Sequence, residues 1–257
     1  MGKIKLEYTH EGAVARIILD DGKGNILDGV MMKDILGAFA KFKDNQNIKL
    51  ITFEGEGKNF SYGASVEEHT KYSCEGMLKS FHQIFYNIID MSIPTMAKIS
   101  GQCLGGGMEL SLMCNFLFAD KSAVMGQPEI NLGIYAPAAS FLLPLKIGSA
   151  KAEELLLTGN SINAVKAKEF GILNDVFSDK ETMEKQLDEW IAKNICRKSA
   201  SSLKFAVMVS RKIFNETIIA RLPELEIIYT SELMETYDAN EGINSFIEKR
   251  KPVWKNS

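Results

Sequence analysis

Apolar positions along the chain follow two rhythms. Short runs at Ala13–Leu19 (AVARIIL) and Lys49–Phe53 have the length and β-branched content of strands. Between them, Met31, Ile35, Ala38, Phe39 and Phe42 recur at helical spacing, predicting a helix over Val30–Phe42 with one apolar face. A second helix is predicted over Gly76–Met91, where Met77, Phe81, Ile84, Phe85, Ile88 and Ile89 share a face. Pro94 opens another short strand that ends near Ser100-Gly101, followed by a buried helix at Met108–Met113 and a strand at Asn115–Ala119. Strands and helices in this alternation predict an α/β architecture with crossover connections. From about Ala150 the pattern turns helical, over Ala150–Thr158, Ala164–Phe170, Lys180–Lys193, Ser199–Phe214 and Leu222–Thr236, interrupted by one strand-like run at Ile172–Phe177.

Composition narrows the class. With 257 residues, 46% hydrophobic and 25% charged, the chain has the balance of a globular enzyme or binding domain. A net charge of −3 argues against non-specific nucleic-acid binding, which needs a basic surface. No stretch approaches the roughly 20 apolar residues that span a bilayer, and no early segment reads as a signal peptide. Cys74, Cys103, Cys114 and Cys196 are too scattered for a Cys-x-x-Cys site, so reduced, mostly buried thiols and a cytoplasmic location are expected. His69 and His82 read as surface or satisfied structural histidines.

Two carboxylates stand in unusual settings. Glu109 follows Gly105-Gly106-Gly107-Met108 and enters an apolar stretch, although buried acids are rare unless paired or functional. The triplet matches neither a P-loop nor a dinucleotide fingerprint, since Leu110 takes the place of the third glycine. Glycines let a backbone approach a ligand, and a helix start after them leaves N–H groups unpaired. At Glu109 the helix start would lower the pKa and desolvation would raise it, which the sequence leaves open. Glu129 sits in Gly126-Gln127-Pro128-Glu129 beside an apolar run. A further donor is expected at Ala64, with Ser65-Val66-Glu67-Glu68 fitting a capping box. Amide donors with two carboxylates nearby describe proton transfer on an activated carbonyl compound.

These motifs in their order resemble one known family. Phe60-Ser61-Tyr62-Gly63-Ala64, Gly101 to Leu110, Gly126-Gln127-Pro128-Glu129 and Glu241 to Pro252 are together similar to the crotonase (enoyl-CoA hydratase/isomerase) superfamily. The resemblance implies a spiral of ββα repeats over residues 1–195, a helical trimerisation region over 196–257, and a homotrimer or dimer of trimers. It implies an acyl-CoA substrate whose thioester oxygen is held by the N–H groups of Ala64 and Gly106. Glu109 would then orient and deprotonate water while Glu129 exchanges the substrate proton. Coenzyme A is part of the substrate, and neither a metal nor another cofactor is required. The family's CoA-binding loop falls on Lys23-Gly24-Asn25-Ile26, and the triplet Lys249-Arg250-Lys251, Lys249 included, is expected to reach a neighbouring subunit's nucleotide phosphates.

Two departures from the family pattern matter. Ser65 replaces the usual aspartate, a change between good helix caps. In Leu132-Gly133-Ile134-Tyr135-Ala136-Pro137-Ala138-Ala139-Ser140, Pro137, Ala139 and Ser140 replace glycines, and Tyr135 is added. This segment resembles the cyclic dienoyl-CoA hydratases, which add water to a cyclohexadiene carbonyl-CoA, with Tyr62, Tyr135 and Phe141 expected to line the acyl pocket. Hydration or isomerisation of linear acyl-CoA and thioester hydrolysis are the rival reactions on this scaffold. An acidic pI and an intact carboxylate pair argue against a non-catalytic or RNA-binding relative.

Overall fold

The computed structural model describes residues 2–257. In chain order the strands are β1 (Ile4–Thr9), β2 (Val14–Leu19), β3 (Leu50–Gly55), β4 (Thr95–Ile99), β5 (Gln102–Leu104), β6 (Phe116–Asp120), β7 (Val124–Gly126), β8 (Ser161–Asn163) and β9 (Asp175–Phe177). The α-helices are α1 (Gly29–Phe42), α2 (Cys74–Met91), α3 (Gly106–Leu112), α4 (Ala139–Ile147), α5 (Ser149–Thr158), α6 (Ala164–Glu169), α7 (Lys180–Ile191), α8 (Ala200–Ser210), α9 (Lys212–Ser231) and α10 (Tyr237–Ile247).

Six strands form one sheet in the order β1-β2-β3-β4-β6-β9, and β5-β7-β8 form a second, smaller one. Only β1 runs antiparallel in the large sheet; β2, β3, β4, β6 and β9 pair in parallel. Parallel neighbours need crossovers, and α1, α2 and α3 supply them; α7 covers the face they leave open. Strand alternation sorts the side chains. Ile17, Leu19, Ile51, Phe53, Ala97 and Leu117 join the main core beneath the crossover helices. On the opposite face Leu50, Met96 and Phe118 meet Met183, Leu187 and Ile191 of α7. The same face carries Arg16, whose guanidinium forks onto Glu54 at 2.9 and 2.7 Å, and Lys98, which reaches Glu184 at 2.8 Å. Planar, two-bond pairing of this kind lets a buried carboxylate stay charged.

The predicted apolar face of α1 is wholly buried, and Asp28 caps it by accepting from the Met31 N–H at 3.0 Å. The capping box expected at Ser65 does not form. Val66–His69 is a single 3-10 turn without a side-chain cap, and the Glu68 carboxylate accepts from the Gly29 N–H at the start of α1. A longer helix with a stronger N-terminal dipole has taken the acid.

The C-terminal helices also differ from the predicted spans. The break lies at Arg211, and α9 runs unbroken through Pro223, where the sequence reading starts a new helix. Arg211 turns its guanidinium to the carbonyl oxygens of Met113 and Cys114, at 2.5 Å each, and so closes the last turn of α3. Ile218, Leu222, Tyr229, Met234, Ala239 and Ile243 enter the same core as the sheet. Among the described residues, no helix is long and apolar enough to cross a membrane.

Candidate active site

The site forms where two loops meet the small sheet. After β3 the chain returns through Ser61, which bridges to Cys103 of β5, and Leu27 bridges to Ala64. Gly63, at φ +100°, allows this approach, since a Cβ there would press on the Leu104 carbonyl and the Gly106 nitrogen. The amides of Ala64 and Gly106 are thereby brought side by side: a Cβ on Gly106 would lie 3.2 Å from the Ala64 nitrogen. Neither N–H has a hydrogen-bond acceptor among the described residues. Two adjacent unpaired amides at a helix start form a cradle for an oxyanion.

Both predicted carboxylates line the pocket onto which these amides open. Glu109 stands on α3, buried on every side by that helix and its neighbours. Its Oε1 accepts from the Ala139 N–H at 2.8 Å. The Pro137-Ala138-Ala139-Ser140 departure thus builds the start of α4, whose first amides hold Glu109. Burial raises the Glu109 pKa, opposed by the His82 charge and by the amides of Ala139 and Ala138.

Glu129 lies in the 3-10 turn Pro128–Leu132. The Gln127 amide, its nitrogen turned to the acid, donates to Oε2 at 3.0 Å and to Oε1 at 3.2 Å. Gly105 lies directly against this carboxyl, and any Cβ at that position (φ +49°) would collide with Oε1. Burial, reinforced by the charge of Glu109, pushes the Glu129 pKa up to about 8. Two carboxyls set differently by their surroundings, both held above the ordinary carboxylate range, are suited to the two halves of an acid–base pair.

Of the expected acyl-pocket residues, Tyr62 and Tyr135 line the pocket. The Tyr135 hydroxyl donates to the Leu225 carbonyl at 2.6 Å and ties the wall to α9. Phe141 does not line it; on α4 it packs against the main core, because the helix turns that side chain away from the opening. His69, Met77 and Phe81 line the pocket unforeseen. Met77 and Phe81 carried only the helical spacing of a core face. His69 is a satisfied histidine that also borders the pocket: its Nδ1 donates to the Ser65 carbonyl at 2.7 Å, and burial lowers its pKa.

A groove of about 890 Å³ continues outward and shares Tyr62, Ala64 and Leu132 with the pocket. Lys23 lines it. Gly24 is buried against the Tyr62 ring, and Asn25 spends its amide on the carbonyls of Glu56 and Asn59, so these two shape the loop and leave the groove wall to others. Lys249 does not line the groove; its neighbour Arg250 does, held by both oxygens of Glu241.

Comparison with known proteins agrees with this geometry. The family model described as enoyl-CoA hydratase/isomerase matches residues 9–257. The chain belongs to the enoyl-CoA hydratase/isomerase family. It is 38% identical over 253 residues to cyclohexa-1,5-dienecarbonyl-CoA hydratase of Thauera aromatica, covering 98% of this chain and 97% of that protein. It is 31% identical to a probable mitochondrial enoyl-CoA hydratase of Dictyostelium discoideum, covering 96% and 89% of the two chains. The crystal structure of an enoyl-CoA hydratase from Mycobacterium avium subsp. paratuberculosis superposes with a TM-score of 0.87 at 18% identity, covering all of both chains. The fold is thus crotonase-like, with repeated β–α units and C-terminal helices, as the sequence motifs imply.

Proposed function

We propose that this chain is a hydratase that adds water to a cyclic dienoyl-CoA such as cyclohexa-1,5-diene-1-carbonyl-CoA, or removes it in reverse. The observation that carries this reading is the convergence of two unpaired amides, the buried Glu109 and the half-buried Glu129 on one pocket. Substrate class is supported by the Thauera aromatica relative and by the α4 segment that holds Glu109.

In the hydration direction, the thioester oxygen accepts from the Ala64 and Gly106 N–H groups. Glu109 takes a proton from water as its oxygen bonds to the ring carbon. The displaced π electrons form an enolate, whose charge collects on the cradled oxygen. Glu129 then gives its proton to carbon. Removing one oxyanion donor costs about 3 kcal/mol in systems of this type. A positioned acid or base contributes about 10²–10⁴-fold.

The groove, with Lys23 and Arg250 on its walls, supports a place for the CoA portion. Exposed Phe205, Val209, Ile213 and Ile227 on α8 and α9 support a trimer built through residues 196–257 on the ββα core of 1–195. A cytoplasmic location belongs to the same proposal.

The test is to incubate purified protein with cyclohexadiene carbonyl-CoA and with crotonyl-CoA and to weigh the products. A gain of one water on the ring substrate supports the reading. An isomer of unchanged mass, or free CoA, would replace it. Glu109→Gln and Glu129→Gln should each lower kcat about 10²-fold or more while KM changes little.

A further inference from the structure

Glu129 is approached from two sides. Behind the reaction pocket lies a smaller chamber of about 150 Å³, and Glu129, Tyr135 and Ala136 line both. The Glu129 carboxyl is part of the partition. On one side it lies against Gly105, which lines the reaction pocket. On the other it accepts from the amide of Gln127, which lines the chamber. Glu109 differs, for it lines the reaction pocket and not the chamber.

The chamber reaches the surface through α5, which packs on α4 and on the turn that carries Glu129. Glu153, Leu156 and Leu157 of α5 form its outer wall; Glu153 and Leu157 are exposed and Leu156 is half-buried. Its size and chemistry suit water. A water molecule's share of the liquid is about 30 Å³, so several fit, provided polar partners are at hand. Glu129, Glu153 and Ser140 supply them. The Ser140 hydroxyl donates to the Ala136 carbonyl at 2.7 Å, which leaves its oxygen to accept from water. Ser140 stands where the family pattern has a glycine, and a glycine would bring no hydroxyl to this wall.

The chemistry outlined above creates a demand for such a route. Each hydration leaves a proton from water on Glu109 and takes one from Glu129 for carbon. Before the next cycle Glu109 must release a proton to water and Glu129 must regain one, with no net change in the protein.

We propose that the chamber is a proton route, filled by water, through which solvent reprotonates Glu129 while a thioester still occupies the reaction pocket. The proton enters at the surface beside Glu153, passes along chamber water and ends on the Glu129 carboxylate. Glu109 discharges into the reaction pocket that it faces. The inference rests on the hydratase reading for the demand and on the partition alone for the route.

Two measurements on the full chain test this. Leu156→Trp fills the chamber from the α5 side, Leu157→Trp narrows its mouth from an exposed position, and Leu156→Met conserves its volume. Should Leu156→Trp fail to fold, Leu157→Trp carries the test. In the first measurement, protein is rapidly mixed with cyclohexadiene carbonyl-CoA. In the tryptophan variants the first product per site should form at the wild-type rate and later ones tenfold or more slower, while Leu156→Met keeps the wild-type course. A merely structural disturbance would slow first and later turnovers alike.

The second measurement needs no turnover. At about pH 6 Glu129, with its pKa at about 8, carries a proton. Its infrared carboxyl band, identified by its loss in Glu129→Gln, is followed after mixing into heavy water with cyclohexane carbonyl-CoA, which has no double bond to hydrate, in the pocket. The band should shift promptly in the wild type and tenfold or more slower in the tryptophan variants. Without the thioester all should shift alike, because the reaction pocket then admits water. If the occupied wild type exchanges no faster than the tryptophan variants, the proposal is overturned, whatever the substrate. If the protein hydrates and the variants keep the wild-type ratio of first to later turnovers, it is overturned as well. Should the wild type add no water to either thioester, the hydratase reading fails and the isotope exchange still decides the route.

Discussion

The division of labour proposed for Glu109 and Glu129 rests on what surrounds each carboxyl. Glu109 faces the first amides of α4, and Glu129 faces Gln127 and the bare backbone of Gly105. Burial of Glu129 has a consequence for stability as well as chemistry. Its pKa stands at about 8 against an ordinary 4.5, so the folded state binds this proton more tightly than the unfolded chain does. The stability it confers is complete below the unfolded value and is lost as pH rises through the folded one. Glu129→Gln cannot ionise and escapes that loss. Its melting temperature should therefore gain on the wild type as pH is raised from about 5 to about 9. A constant difference across that range would contradict the assigned burial.

At this scale the sequence was partly legible. Glycine runs announced Gly106 and Glu109, because backbone approach and a buried acid leave composition signals. His69, Met77 and Phe81 left none beyond helical spacing, since a residue on an apolar face looks the same whether it meets core or cavity. Asn25 lies in the expected CoA loop, but its amide is committed to the carbonyls of Glu56 and Asn59.

Among the elements, long amphipathic segments were read within two residues: α1 and α2 match their expected spans and faces. Short or unpatterned ones escaped. β5, β7 and β8 have three residues each, too few for a period to show. β1 is an edge strand with mixed burial, and α4 is apolar around its circumference with Pro144 inside it. The break at Arg211 was invisible because its cause lies about a hundred residues earlier in the chain, at the end of α3. That helix begins with the Gly106 amide, so Arg211 anchors the far end of the element that carries one half of the proposed oxyanion cradle. Arg211→Ala leaves two buried carbonyls without their charged donor and should cost about 2–4 kcal/mol, read from urea unfolding at constant m. An unchanged midpoint would show that water replaces the guanidinium at no cost.

For the molecule as a whole, pocket, groove and helical tail form a continuous series. The groove leads inward from Lys23 to Tyr62 and Ala64, and Lys23→Ala should raise KM for an acyl-CoA several-fold while leaving kcat nearly unchanged. At the other end, Ile213 is 78% exposed and Phe205 64%, large apolar side chains that a free surface does not favour. Light scattering should report a trimer or hexamer for the wild type, and Ile213→Lys should shift it toward smaller species. A monomeric wild type would remove the trimer from the proposal. The central claim remains chemical: water is added to a ring held as its thioester enolate. The most direct measurement is turnover of cyclohexa-1,5-diene-1-carbonyl-CoA in water enriched in heavy oxygen, followed by mass analysis of ring and thioester fragments. The account predicts heavy oxygen on the ring carbon of an intact CoA thioester. Heavy oxygen in a free carboxylic acid, with CoA released, would contradict it.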